Sequence, residues 1–310
     1  MKVVKKIASI DIGTNTIRMT VWGKDAVGNL HEIHSNRAIV RLGEGMGSDK
    51  KLLNHRMERA VDVLSGFKNE CDEISAVKIC AVATSAVREA ENKTDFVDKV
   101  KNEVDIEIKV IPWEEEARLT LQGILWSLPA GDLTTLSFDI GGGSTEFIVS
   151  KGDELIQIFG SKLGVVRLTE KFLTKHPIDV NEYDLLVNFL REEIKKIYKN
   201  FSNAKITRII GTAGTVTTLT AIKNNISPYD PEKIHGTVLK LSQIKKIQQT
   251  LKKMTLEERL RLPALECGRE DLIVSGTAIV IEIMEVFKIE DLTVCEYGLR
   301  EGIILDSLKN

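Results

Sequence analysis

Apolar positions run along this chain in two rhythms, and the sequence of rhythms occurs twice. Residues 6–13 (KIASIDIG), 16–23 (TIRMTVWG) and the alternating tract 31–43 (HEIHSNRAIVRLG) predict three successive strands. Residues 57–71 (MERAVDVLSGFKNEC) carry apolar residues at helical spacing, and 77–87 (VKICAVATSAV) is a buried-strand run ending in a turn. A helix over 95–104 and a strand over 106–112, closed by Pro112, come next. Residues 113–128 (WEEEARLTLQGILWSL) form an amphipathic helix with acids in its first turn, where the helix dipole favours them.

The pattern then restarts near residues 125–135. Residues 134–142, 144–152 and 154–162 read as three more strands, followed by helices that include 181–201. A strand over 206–214 runs into a helix over 215–223. Helical tracts 241–254 and 269–287, a strand at 292–296 and a final helix at 297–308 complete the chain. Strands alternating with helices predict an α/β protein. We expect two abutting domains, 1–124 and 125–310, with the last helix a candidate to pack back on the first. A short hinge and a cleft between the domains are the expected place for a ligand.

Composition narrows the partners. A 310-residue chain with 43% hydrophobic and 28% charged residues belongs with ordinary globular proteins. A formal net charge of −2 offers no global reason to bind nucleic acid or an anionic membrane. No apolar run approaches the ~20 residues of a membrane span. The basic-then-apolar start, MKVVKKIASIDIG, breaks at Asp11 without a small-residue cleavage site, so an opening strand is expected there and not a signal peptide. Cys71, Cys80, Cys267 and Cys295 have neither CxxC spacing nor paired histidines beside them, which argues against zinc and for thiols in a reducing cytoplasm.

The restart repeats a motif as well as a rhythm. SIDIGTNTIRMTV (9–21) and SFDIGGGSTEFIV (137–149) share the Ser, the Asp-Ile-Gly core and the final Val, with Thr16 and Ser144 in register. Gly13-Thr14-Asn15-Thr16 and Gly141-Gly142-Gly143-Ser144 thus each follow a strand that ends in Asp-Ile. Glycine lets backbone N–H groups turn toward an anion, and the hydroxyl and amide side chains add donors. An aspartate just before such a turn, Asp11 or Asp139, suits a divalent cation that neutralises phosphate charge. A third turn, Gly211, Thr212, Gly214 and Thr215 in IIGTAGTVTTLTA, leaves a strand and opens a helix whose N-terminal N–H groups attract phosphate. It lacks the P-loop ending and the dinucleotide-binding spacing.

These turns resemble those of the actin, sugar-kinase and heat-shock chaperone ATPase superfamily. More specifically, DIGTNTIRM, ATSAVREA, EEEARL, FDIGGGSTEF, GTAGTVTTL, HG and YGLREGI occur in order over nearly the whole chain. Together they resemble the exopolyphosphatase and guanosine pentaphosphate phosphohydrolase (Ppx/GppA) phosphatase family. The resemblance implies two actin-like (ribonuclease H-like) domains and Mg²⁺ or another divalent cation as cofactor. It implies hydrolysis of inorganic polyphosphate, or of guanosine pentaphosphate to the tetraphosphate of the stringent response.

Carried over residue by residue, it implies Glu116 as the base that activates water. Asp139 and Glu146 arrange metal and water, and Asp11 faces Asp139 across the cleft as a further carboxylate near the metal. Arg88 reaches the phosphate chain, with Arg18 and Arg269 as weaker candidates for that work. A homodimer is a further implication. Two departures stand out: Ala213 replaces a glycine of many members, and the chain stops where longer relatives carry an added helical region for long polymers.

Without the family, several residues have plainer readings. Glu114, Glu115 and Glu116 make a favourable acidic first turn, and Arg88 suits an ion pair with Glu89 or Glu91. Glu146 alternates with Phe147 on a strand and fits a solvated face. His235-Gly236 fits a structural turn, and the Lys-rich tracts REEIKKIYKNF and QIKKIQQTLKKM fit solvated helix or a guide for a polyanion. Rival functions are a small-molecule kinase of the same superfamily and a module that binds guanosine tetraphosphate without turnover.

Overall fold

The computed structural model describes residues 5–25, 29–128, 131–201 and 203–309. The first four residues of the basic N-terminal stretch, and two residues of the tract where the pattern restarts, lie outside these. The chain divides into two units, Met1–Gly123 with Leu299–Asn310, and Ile124–Gly298.

The first unit contains β1 (Lys5–Ile12), β2 (Thr16–Lys24), β3 (Leu30–Ile39), α1 (Asn54–Glu73) and β4 (Lys78–Ala83). It continues with α2 (Ser85–Glu89), α3 (Lys93–Val104), β5 (Ile108–Val110) and α4 (Trp113–Ser127), inside which the division falls. Its sheet has the order β3-β2-β1-β4-β5. The first three strands form an antiparallel meander, whereas β4 and β5 join in parallel. The buried stripe of α1 (Met57, Ala60, Val61, Leu64, Phe67, Cys71) follows helical spacing and joins a core with Ile10, Ile12, Ile17 and Met19.

The second unit repeats the plan with β6 (Thr134–Ile140), β7 (Thr145–Lys151), β8 (Glu154–Ser161), α5 (Val165–Phe172) and α6 (Val180–Asn200). Then come β9 (Arg208–Thr212), α7 (Gly214–Asn224), α8 (Pro231–Ile234), β10 (Val238–Lys240), α9 (Leu241–Lys253), α10 (Leu256–Leu260), α11 (Ile273–Phe287) and β11 (Asp291–Val294). Its sheet order is β10-β11-β9-β6-β7-β8. Apart from the added edge strand β10, this is the first sheet again, with β6, β7 and β8 in the places of β1, β2 and β3. α11 is apolar nearly all round and sits buried, while α6 presents Leu186, Leu190, Ile194 and Ile197 to the core. The last helix, α12 (Leu299–Ser307), belongs to the first unit. There it crosses α4 so closely that a Cβ on Gly302 would lie 1.9 Å from the Leu119 carbonyl oxygen.

The α/β class and the duplicated plan agree with the sequence reading, and the differences are local. The run over 77–87 is a strand only to Ala83, and Ser85–Glu89 is helix. β3 stops at Ile39, because the backbone N–H groups of Val40 and Arg41 turn to the Asn15 carbonyl. α11 begins at Ile273 rather than at 269. Among the described residues no helix is long and apolar enough to cross a membrane, and the four cysteines form no disulfide.

Candidate functional site

The two Asp-Ile-Gly motifs form the same hairpin. Gly13 N–H donates to the Thr16 carbonyl at 3.1 Å, and Gly141 N–H donates to the Ser144 carbonyl at 2.9 Å. The flanking pairs are Ile12 with Ile17 and Ile140 with Thr145. Thr14, Asn15, Thr16 and Ser144 are buried beneath the turns. Each turn is backed by the segment that follows the third strand of its sheet. Gly43 N–H donates to the Thr14 carbonyl, and a Cβ on Gly43 would lie 2.5 Å from Thr14 Cγ2. In the second unit Val165 and Val166 N–H donate to Gly141 and Gly142, and a Cβ on Gly164 would lie 2.2 Å from the Gly143 carbonyl carbon.

Gly43 and Gly164 escaped the sequence reading, yet a faint signal existed. Arg41-Leu42-Gly43 and Lys162-Leu163-Gly164 are a second repeated motif.

The hairpins also place charge. Asp11 stands directly opposite Arg18 in the β1–β2 ladder, and Asp139 stands opposite Glu146 at the equivalent place in β6–β7. Glu146 is 1% exposed, so the solvated-face reading is corrected: β7 is covered on both sides. Two carboxylates opposite each other repel, and a cation between them relieves the repulsion. Among the described residues no group of three or more His, Cys, Asp or Glu is set to hold a metal. Mg²⁺ asks for less: one or two carboxylates, its own waters and substrate phosphate. Asp139 and Glu146 fit that requirement.

Asp11 is the other carboxylate of this kind. Its Oδ1 is buried with no hydrogen-bond partner. Burial pushes the Asp11 carboxyl up from 3.8 to about 6, against the pull of Arg18 and Arg300 and with a further push from Glu301. The folded protein therefore holds this proton more tightly than the unfolded chain. Its stabilising effect is complete below pH 4 and is lost as pH rises through about 6. In metal-free buffer at pH 7.5, Asp11→Asn should be more stable than wild type by up to about 3 kcal/mol, and the gap should close toward pH 4. Thermal melts in chelator at both pH values check this, and a variant less stable at pH 7.5 refutes it.

The acidic first turn of α4 separates by environment. Glu114 is exposed, Glu115 pairs with Arg118 through two 2.8 Å bonds, and Glu116 is 8% exposed. Arg88 Nη1, from the short α2, donates to Glu116 Oε2 at 2.7 Å and to the Ile111 carbonyl at 3.1 Å. The partner of Arg88 is thus Glu116, 28 positions away, and neither Glu89 nor Glu91.

In the second unit, the third turn and Arg269 come together. A Cβ on Gly214 would lie 1.7 Å from Arg269 Nη1, so the guanidinium lies over the glycine at the start of α7. Arg269 Nε also pairs with Glu266 at 3.1 Å. Ala213 holds φ 72° and ψ 178°, a conformation essentially reserved for glycine. That strain is worth roughly 1–3 kcal/mol, partly offset by the extra freedom glycine loses on folding. Ala213→Gly should raise stability by about 1 kcal/mol, read as a higher urea midpoint at unchanged slope. A lower midpoint contradicts it.

His235 fits its structural reading. Its Nδ1 accepts from Glu296 N–H at 3.4 Å, and its ring meets Tyr297 edge to face. On the Lys-rich helices, Lys195 and Lys196 pair with Glu192 and Glu193, and Lys245 with Glu285.

Comparison with known proteins follows the same lines. The model of the Ppx/GppA phosphatase family matches residues 20–310. Exopolyphosphatase 2 of Mycobacterium tuberculosis is 29% identical over 97% of this chain and 98% of its own length. The guanosine-5'-triphosphate,3'-diphosphate pyrophosphatase of Photobacterium profundum is 28% identical over 97% of this chain, which spans 59% of that protein. The crystal structure of the Aquifex aeolicus Ppx/GppA family member superposes with a TM-score of 0.83 at 34% identity, covering 98% of both chains. With a match over nearly its whole length and the duplicated hairpins to go with it, the chain belongs to the Ppx/GppA phosphatase family.

Proposed function

We propose that this protein releases terminal orthophosphate from linear phosphoanhydride chains, inorganic polyphosphate first and guanosine pentaphosphate second. The Arg88–Glu116 pair carries this reading: a carboxylate shielded from solvent, beside the partly buried cation a phosphate chain needs. Glu116 takes a proton from a water whose oxygen attacks the terminal phosphorus. The bridging P–O bond breaks, the shortened chain leaves, and orthophosphate carries the new oxygen. Arg88 turns from Glu116 to the terminal phosphate, which frees the carboxylate to accept the proton and shields the transferred charge.

Backbone N–H groups of the turns at Gly13–Thr16, Gly141–Ser144 and Gly211–Thr215 bind phosphate oxygens, with Arg18 and Arg269 as further cations. Asp139 and Glu146 would hold Mg²⁺, with Asp11 of the first unit as a further candidate carboxylate, and the ion would neutralise phosphate charge. Free thiols suit a cytoplasmic setting. The names of relatives support both substrates, an exopolyphosphatase at 29% and a guanosine pentaphosphate pyrophosphatase at 28% identity.

The test is orthophosphate release, with Mg²⁺, from long polyphosphate, tripolyphosphate and guanosine pentaphosphate. Release from the polymers supports an exopolyphosphatase. Release from the nucleotide alone moves the protein to the second substrate, and release from none of them refutes the chemistry.

A further inference from the structure

Arg259 of α10 is 0% exposed, and among the described residues no carboxylate forms an ion pair with it. Asp271 acts on it only through its charge. Burial lowers the guanidinium from 12.5 to about 10, so it stays charged at neutral pH. A buried charge without a counter-charge is costly, and an apolar side chain of similar volume would sit there at less cost. We infer that Arg259 is a positioning residue: it fixes the segment between α10 and α11 so that the Arg269 guanidinium stays over the start of α7. This role depends on the proposed reading of Arg269 as a phosphate cation.

The guanidinium gathers three stretches of chain. Nε donates to the Leu251 carbonyl in the last turn of α9 at 2.9 Å. Nη1 donates to the Glu270 carbonyl at 2.9 Å and to His176 Nδ1 at 3.1 Å. His176 lies 83 positions earlier, between α5 and α6. Burial and the Arg259 cation hold its imidazole below the usual range, which leaves Nδ1 an acceptor. The His176 loop is itself tied to α9, because Ile178 N–H donates to the Lys252 carbonyl at 2.9 Å. Arg259 thus joins α9, this loop and the α10–α11 segment at one point.

That segment, residues 262–272, contains no helix or strand. Its internal bonds are short in range: Leu265 N–H to the Leu262 carbonyl, Gly268 N–H to the Glu270 carboxylate, and Arg269 N–H to the Glu266 carbonyl. Such turns fix local shape and leave open where the segment lies on the unit. Leu265 and Leu272 reach the core, but apolar burial has no direction. The Glu270 carbonyl, held by a planar cation with fixed donor directions, supplies that direction. Glu270 follows Arg269 directly, so a shift of its peptide carries Arg269 along. Little shift is tolerable, since a Cβ on Gly214 would lie 1.7 Å from Arg269 Nη1 and 2.5 Å from Cζ.

The experiment measures tripolyphosphate hydrolysis by wild type, Arg259→Lys, His176→Leu and His176→Asn, each with Arg269 intact and with Arg269→Ala. Calorimetric binding of tripolyphosphate in a Glu116→Gln background repeats the comparison without turnover. Arg269→Ala and Arg259→Lys should each raise KM about tenfold, the worth of one charge-assisted hydrogen bond. Lysine keeps the charge of Arg259 but not its planar fork. With Glu116 untouched, kcat should stay within about threefold. His176→Leu should raise KM about threefold, and His176→Asn, whose amide oxygen can accept, should keep the wild-type value. In the Arg269→Ala background none of these substitutions should change KM or Kd further. Effects that multiply in the double variants would overturn the inference, as would a wild-type KM in Arg259→Lys or in Arg269→Ala. If Arg259→Lys does not fold, the two His176 variants decide by the same criterion. A wild type that releases no orthophosphate refutes the proposed hydrolysis separately, and the calorimetric arm still judges Arg259.

Discussion

Glu116→Gln lowers kcat for orthophosphate release by about 10²–10⁴, the usual worth of a positioned general base. Glutamine is chosen because it keeps the volume and an oxygen that can still accept from Arg88 at the 2.7 Å position. Only the ability to take a proton is lost. Glu116→Ala would instead leave a half-buried guanidinium facing an empty site, a change worth about 3–5 kcal/mol when a buried pair is broken. Lost activity could then be lost fold. The glutamine variant should melt within a few degrees of wild type and bind substrate with a similar KM, since the phosphate contacts lie elsewhere. A kcat within threefold of wild type at an unchanged melting temperature would remove Glu116 as the base.

What the sequence made legible follows from how local each signal is. The duplicated hairpins were readable because everything that specifies them lies within a dozen residues: an apolar strand, an aspartate, a glycine turn and a returning strand. The structure adds that both close with the same backbone bond. Glu116 was different. Three glutamates share one helical turn, and the one that is buried depends on packing by Arg88, 28 positions earlier in the chain. No spacing rule reads such a long-range contact, so only the resemblance singled it out.

α2 was missed because Ala86 and Val87 continue the apolar run of β4 without a glycine or proline to mark the change. β10 was missed because three residues, with Leu239 alone buried, are too few to show a period. Glu146 stands between these cases: its alternation with Phe147 was correctly seen, but alternation marks a solvated face only when one side of the sheet is open. Here both Glu146 and Phe147 are buried.

The second large effect is expected at a residue with no reactive group. Gly164→Ala should lower phosphate release about a hundredfold, comparable to a 1 Å misplacement of a catalytic element. The reason is space and not backbone freedom, since Gly164 has an ordinary φ of −98°. Its missing Cβ would lie 2.2, 2.3 and 2.4 Å from atoms of the Gly142–Gly143 backbone. No side chain tip is there to swing aside, so either the triple-glycine turn or the start of α5 must move.

The two cannot move apart freely, because Val165 and Val166 N–H are bonded to the Gly141 and Gly142 carbonyls at 3.1 and 2.9 Å. Displacing α5 therefore rotates the turn's peptide planes, and with them the N–H groups proposed to bind phosphate. Overpacking of this kind also costs about 1–3 kcal/mol of stability. Gly66→Ala in α1 is the control, since a Cβ there meets nothing within 4 Å. It should leave activity unchanged and add up to about 1 kcal/mol of stability. If Gly164→Ala lowers the melting temperature while phosphate release and KM stay at wild-type values, the turn at Gly141–Ser144 does not grip the substrate.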